Sequence, residues 1–222
     1  MHLSLASVPL LPAIFVRHND RREIARRAVL HRAGDPVRHV WLVTAGWFAR
    51  CRSGPAGTDA FTAVHVPGDV IGLDALHDEQ LGDELRALSE ATVLRLPLDS
   101  LRTAVAADGG AALEVVRLLA ADAGYLREAL FAIGTQSSVE RLTTFFLQTY
   151  RRLQGAGLLA ANADRFPLPL TQVQLGAVTG LTSVHINRVL KQLRDARLLA
   201  FRSGSVHLLD LPGLQREARR RG

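Results

Sequence analysis

The stretch Leu170–Arg194, LTQVQLGAVTGLTSVHINRVLKQLR, divides at Gly180 into two helical segments. Thr171 is placed to cap the first segment and Thr182 the second, because a threonine hydroxyl can accept a hydrogen bond from a free amide in a helix's first turn. Gly180 supplies the residue that can enter the left-handed region between them. In the second segment Ile186, Val189, Leu190 and Leu193 recur at helical spacing and form a buried stripe. Ser183, Val184, Asn187, Arg188 and Lys191 are left on the opposite face, which suits a major groove. Arg188 lies one turn beyond Val184, where a guanidinium can give two hydrogen bonds to O6 and N7 of a guanine. Asn187 and His185 are auxiliary candidates for base contact, and Lys191 is placed to meet phosphate.

Outward from this pair, Leu198–Phe201, a Ser203-Gly204-Ser205 turn and Val206–Leu209 read as a two-stranded hairpin. Upstream, Gln154–Pro169 reads as a loop. Before it, a run with Val139, Leu142, Phe145, Phe146 and Tyr150 reads as a helix capped by Ser137 or Ser138. A long helix is expected after Gly110, with Val115, Leu119, Leu126, Ala129 and Ile133 on one stripe and Leu113, Val116, Ala120, Ala123 and Leu130 on a second. One stripe is expected to pack on the preceding domain and the first to pair with a twin helix; burial of both within one chain is the alternative. From Val29 to Pro97, short apolar or β-branched runs (40–43, 61–66, 91–96) alternate with turns at Gly34-Asp35, Gly46, Ser53–Gly57 and Pro67-Gly68-Asp69, the pattern of an antiparallel roll. A short helix over Asn19–Val29, capped by Asn19 or Asp20, is expected to precede a roll beginning near Leu30.

The expected class is α+β: an N-terminal antiparallel, jelly-roll-like β-roll, a long dimerisation helix and a C-terminal winged helix-turn-helix. The expected domains are 1–110, 111–137 and 138–222. Of the 222 residues 48% are hydrophobic, enough for packed cores, and no run approaches the roughly 18 unbroken apolar residues of a membrane span. The apolar start MHLSLASVPLLPAIF has no basic segment before it and no small-residue cleavage site after it, so no export signal is expected. The single cysteine, Cys51, can neither close an internal disulfide nor supply a multi-thiolate cluster, and a cytoplasmic setting is expected. Residues 1–137 carry 14 Lys+Arg against 16 Asp+Glu, whereas 138–222 carry 13 against 5, including a basic tail at Arg216–Arg221. Charge concentrated in that way suits a polyanion, since neutralising phosphates releases counterions. A solvated basic face is the plainer alternative, as an ordinary helical hairpin is for the two helices.

The chain resembles the CRP/FNR family of transcription regulators from about Leu30 to Leu211, most specifically in LTQVQLGAVTGLTSVHINRVLKQLR. PGDVIGLDAL (67–76) resembles the glycine-bearing turn of that family's roll, and SSVERLTTFFLQTYRRL (137–153) its first helix after the hinge. The resemblance implies a homodimer on a pseudo-palindromic site in double-stranded promoter DNA, with RNA polymerase a candidate partner and no membrane association. It puts Thr171 and Gln172, with the cap residue Thr182, near phosphates, and Ser183, Val184 and Arg188 at base-reading positions. Val184 departs from the glutamate of many members and can touch only something apolar, such as a thymine methyl.

The same resemblance sets expectations for the roll. Members that bind cyclic AMP have a glutamate after Ile-Gly and an Arg-Ser pair about ten residues on. Here Leu73 follows Ile71-Gly72, and Leu81-Gly82 stands in the Arg-Ser position, so cyclic AMP is not expected. Arg86 is a possible substitute, although a strand residue facing solvent is the simpler reading. The iron-sulfur branch needs several N-terminal cysteines, and none precedes Cys51. His31, His39, His65 and His77 carry no metal-binding spacing, haem ligation through His77 and Cys51 lacks support, and no nucleophile-base-acid set is present. A non-enzymatic regulator with an unknown effector and no cofactor is expected; a cupin-like metalloenzyme with a basic appendage is the alternative.

Overall fold

The computed structural model describes residues 10–54 and 59–218. Parts of the expected Ser53–Gly57 turn and of the basic tail (219–221) lie outside the described residues. One compact unit is built from the chain up to Arg52 and from Val64–Tyr125, the other from Ser53–Ala63 and from Leu126 onward.

The first unit opens with helix α1 (Leu10–His18), where a helix over Asn19–Val29 was expected. Asn19 has a φ of 53°, and its amide donates to Phe15 O at 3.0 Å, so it closes the preceding helix and does not start a new one. Asparagine serves both ends of helices because its short polar side chain tolerates the left-handed region. The following residues instead form strand β1 (Asp20–Ile24), paired antiparallel with β8 (Ala91–Pro97). The roll therefore begins at Asp20, well before Leu30. Arg95 donates to Asp20 at 2.7 Å across that pair, and this bond, foremost, holds the Asp20 carboxyl below its usual range.

Between them run β2 (Val29–His31), β3 (His39–Ala45), β4 (Phe48–Ser53), β5 (Asp59–His65), β6 (Val70–Ile71) and β7 (Glu84–Ala87). They form two four-stranded sheets, in the orders β1-β8-β3-β6 and β2-β7-β4-β5. The pairs in β3 and β8 set Val40 opposite Leu96 and Leu42 opposite Leu94. Val40, Phe48, Leu85, Val93 and Leu96 are buried in a core that α1 completes with Leu11 and Phe15. Gly46 has a φ of 81° and would push any Cβ into the backbone of Glu90 and Ala91, so the β3–β4 turn needs glycine.

Helix α2 (Leu98–Ala107), not anticipated from the sequence, follows β8 and ends at the extended Asp108. Helix α3 (Gly109–Thr135) is the long helix. Val115 is only 4% exposed and belongs to the roll's core, with Leu118 partly buried beside it. This corrects its assignment to a dimer seam: Val115 is spent on the roll.

In the second unit α4 (Ser138–Gly155) starts with a capping box. Ser137 Oγ accepts from Glu140 N, and Glu140 accepts from Ser137 N at 2.7 Å. Within the expected loop 154–169, Arg165–Pro167 forms a strand, β9. Then come α5 (Gln172–Thr179), α6 (Ser183–Asp195), β10 (Leu199–Arg202), β11 (Ser205–Leu208) and α7 (Leu211–Glu217), with strand order β10-β11-β9. Leu142, Phe146, Leu175, Ile186, Val189, Leu199 and Val206 are buried at 1% exposure or less and form this unit's core.

Candidate DNA interface and sensor roll

Helices α5 and α6 are held by the local chemistry their sequence advertises. Thr171 Oγ1 accepts from Gln174 N at 3.2 Å while Gln174 Oε1 accepts from Thr171 N at 2.8 Å, a full capping box. Gly180 ends α5 with a φ of 67°. Gly176 faces Leu181 O so closely that a Cβ would overlap it, which lets the chain fold back tightly into α6. Thr182 Oγ1 then accepts from His185 N at 3.3 Å.

The buried stripe of α6 is Ile186, Val189, Leu190 and Leu193. Ser183, Val184, Asn187, Arg188 and Lys191 are all exposed on the other face, Val184 by 74%. Arg188 and Lys191 make no hydrogen bond or ion pair among the described residues. The Asn187 amide donates to Ser183 O at 3.1 Å and would have to leave its own helix to reach a base. His185 is half-buried, and its Nδ1 lies 3.1 Å from Thr182 Oγ1, so its ring braces the helix start and does not extend outward with the others. Thr171 and Gln172, at the start of α5, are exposed and half-exposed, and Thr182, at the start of α6, is exposed. The Thr171 hydroxyl accepts from an amide, which leaves its O–H to donate to an oxyanion, whereas the Thr182 hydroxyl also faces His185 Nδ1.

The hairpin turns through Ser203 (φ 49°) and Gly204 (φ 71°), the two successive left-handed residues of a tight two-residue loop. Arg202 is exposed beside it, and Arg165 of β9, Arg194 and Arg197 are also exposed. Around the module's core, Phe146 lies 6.2 Å from Phe201 and Tyr150 lies 5.8 Å from Phe166. Tyr150 donates to Ala163 O at 2.9 Å, fixing the chain that leads to β9.

On α3, Leu119, Leu126, Ala129 and Ile133 are exposed, as are Leu113, Val116 and Leu130. Val116, Leu119, Ala123, Leu126, Leu130 and Ile133 advance by alternating steps of three and four, the spacing of a coiled-coil seam. Of the expected stripe only Val115 is withdrawn by its burial; Leu119, Leu126, Ala129 and Ile133 stay exposed.

In the roll, Gly72 has a φ of 92° and leads into a short 3-10 helix at Leu73–Leu76. Leu73 and Leu81, at the positions of the family's glutamate and arginine, are 4% and 3% exposed and part of the apolar core. Beside them in the chain, Asp74 and Asp83 belong to a charged network that sequence reasoning missed. Arg50 of β4 donates to both Asp74 oxygens at 2.8 and 3.1 Å, and its Nε lies 3.9 Å from Asp83, which also accepts from Arg52 at 2.8 Å. Burial opposes the charge on Arg50, but the bonds to Asp74, with Asp83 and Asp122 of α3 in support, outweigh it and raise its pKa. A guanidinium so neutralised offers little to an incoming cyclic phosphate. Arg86 is likewise engaged, with Glu84 at 2.6 Å.

His31 is buried beside Trp41, with ring centroids 6.1 Å apart, and its Nε2 is buried without a bond among the described residues. Burial, ahead of the opposing charge of Asp35, pushes its pKa down; burial, with Arg95, does the same to His39. His65 is buried with Nδ1 3.5 Å from Asp69, and His77 is exposed. Cys51 is buried, its Sγ 3.8 Å from Ala49 O, and among the described residues no three His, Cys, Asp or Glu side chains are grouped to hold a metal. No helix among the described residues is long and apolar enough to cross a membrane.

Residues 140–217 match the Crp-like helix-turn-helix domain model, and residues 21–108 match the cyclic nucleotide-binding domain model. Among curated relatives, the chain is 25% identical over 194 residues to an anaerobic regulatory protein of Haemophilus influenzae, covering 87% of this chain and 74% of that one. It is 26% identical over 199 residues to the transcriptional regulatory protein btr of Bordetella pertussis, covering 88% and 80%. The solved structure of FixK2 from Bradyrhizobium japonicum matches its fold with a TM-score of 0.80 at 23% identity, covering 89% of this chain and 96% of that one. Two domain models in the right order, with the long helix between the matched stretches, on a roll and a winged helix-turn-helix, make this chain a member of the CRP/FNR family of transcription regulators.

Proposed function

We propose that this regulator acts as a homodimer on a pseudo-palindromic operator, with α6 of each protomer in successive major grooves. The observation that carries this reading is the exposed face of α6, where Arg188 and Lys191 project with no partner among the described residues beside an exposed Val184. Arg188 reads a guanine, Ser183 and Val184 touch neighbouring bases with Val184 against a thymine methyl, and Asn187 adds a contact once its amide is released. Thr171, Gln172, Thr182 and Lys191 hold phosphates. The seam for the twin helix is Val116, Leu119, Ala123, Leu126, Leu130 and Ile133. The protein works in the cytoplasm, and RNA polymerase is its candidate partner at a promoter.

The roll, in this reading, takes neither cyclic AMP nor an iron-sulfur cluster and needs no cofactor. Leu73 and Leu81 give the nucleotide nothing polar, Arg50 is already neutralised, and the single cysteine is buried. Each relative named above is a regulator, which leaves the cupin-like metalloenzyme without support. The test is a salt titration of binding to DNA upstream of the protein's own gene, with and without cyclic AMP. Affinity should fall with salt along a log-log slope matching about 5 to 10 phosphates per dimer, and cyclic AMP should leave it unchanged. Salt-independent affinity contradicts the DNA reading, and activation by cyclic AMP contradicts the reading of the roll.

A further inference from the structure

At the junction of α3 and α4 one side chain gathers the ends of two helices. Arg141, in the first turn of α4, donates from Nη2 to Ile133 O at 3.0 Å and to Gln136 O at 3.2 Å, both at the end of α3. From Nη1 it donates to Thr179 O at 3.3 Å and reaches Gly180 O at 3.5 Å, both at the end of α5. The last carbonyls of a helix have no partner within it and carry its partial negative charge, so two such ends would repel one another without a cation between them. Arginine fits this place because its planar fork presents several N–H groups in fixed directions, whereas lysine is a point donor. The contact is close: a Cβ at Gly180 would stand 3.6 Å from Nη1.

We infer that Arg141 is a positioning residue for DNA recognition: by tying the end of α3 to the end of α5, it sets the angle at which α6 is presented relative to the long helix. Only Gln136 and Ser137 separate α3 from α4. The Ser137–Glu140 capping box fixes the start of α4 but makes no bond to α5. Helix α4 packs on α5, α6 and α7, and the end of α3 from Leu126 onward belongs to the same compact unit, with Ala132 buried and Ile133 beside Gly180; the Arg141 bonds add directional links from that end of α3 to the end of α5. Arg141 touches no base. In a dimer joined along α3, its consequence is the separation of the two recognition helices, and so the half-site spacing the protein accepts.

This rests on the dimeric reading above, and the experiment keeps the two apart. Arg141→Ala, Arg141→Lys and the wild type are measured for thermal unfolding, for affinity to a duplex with one half-site, and for affinity to operators whose half-site separation is changed by one or two base pairs. The wild type should lose on the order of 10-fold or more at each wrong spacing, since half-sites must match the two-fold geometry. Arg141→Ala should keep half-site affinity within about 2-fold while its preference among spacings flattens to about 3-fold or less, with Arg141→Lys between them. Should Arg141→Ala fail to fold, the lysine variant alone decides, because it keeps the charge and loses the fork. Full spacing discrimination in the folded variants overturns the inference. Equal loss of half-site and full-site binding assigns Arg141 to the integrity of the module and overturns it too. A wild type indifferent to spacing overturns the dimeric reading itself.

Discussion

Along α6 the side chains Val184, Arg188 and Lys191 project outward, and the two cations make no bond among the described residues. In the roll, Arg50, Arg52, Asp74 and Asp83 turn upon one another, and the neighbouring positions 73 and 81 are closed leucines. The first arrangement leaves donors waiting for an external acceptor; the second satisfies its charges internally. The contrast teaches that the same residue type, arginine, is left open on one surface and held by carboxylates on the other, according to what the neighbouring elements bring beside it.

The largest effect should come from the seam proposed for the twin helix. Replacing Leu126 with Glu puts two carboxylates against each other at the dimer axis, and burying an unpaired charge costs several kcal/mol. Sedimentation should show a dimer for the wild type and a monomer for Leu126→Glu, with operator affinity reduced on the order of 100-fold or more. A wild-type monomer at micromolar concentration, or an intact Leu126→Glu dimer, removes the seam from the account.

On the roll's side, Asp74→Ala takes away the bidentate partner of Arg50. A fully buried pair broken this way loses about 3 to 5 kcal/mol, but the Asp74 side chain is 42% exposed, so about 1 to 2 kcal/mol is expected. Denaturant titration should show this loss in the roll. Unchanged stability would mean that the network is ornamental and the contrast with α6 overstated.

A subtler change sharpens the reader. Val184→Glu exchanges an apolar contact for an acceptor, so the base pair it faces should shift from thymine towards cytosine, by about 1 to 3 kcal/mol of discrimination. Binding-site selection on the variant reads this directly, and an unaltered preference would show that Val184 faces no base.

The smallest effect concerns pH. His31 and His39 have pKa values below the ordinary 6.5 because burial disfavours the imidazolium. The unfolded chain thus binds protons that the folded roll refuses, so stability is full above pH 6.5 and falls as pH drops from there through the lower folded values. Thermal melts from pH 8 to 5.5 should decline, and His31→Gln should flatten the decline. A melt that improves on acidification contradicts the sign.

The winged helix-turn-helix was legible because its signals are local. Thr171 with Gln174, Gly180, and Thr182 each sit within a few residues of what they cap, and the apolar stripe of α6 needs only helical spacing. The Arg50 network was not legible, since Asp74 and Asp83 lie 24 residues or more away and only the strand order brings them together. Arg141 was hidden for the same reason, its acceptors being defined by where two other helices end. Two further omissions had local signals that went unread. Asp210 followed by Pro212 announces the start of α7, and Asn19 after Arg17-His18 announces the end of α1. Strand β9 had none, because three residues become a strand only when β11 lies beside them.

Arg188 bears most directly on the claim that α6 reads the sequence. Binding-site selection and affinity measurements on Arg188→Ala, with Lys191→Ala alongside, separate reading from attraction. The account predicts that Arg188→Ala loses about 1 to 3 kcal/mol per half-site and its preference for one guanine, while non-specific binding barely changes. Lys191→Ala should weaken all sequences alike and lower the salt slope by about 1. Full sequence preference in Arg188→Ala would contradict the account, because α6 would then not be the helix in the groove.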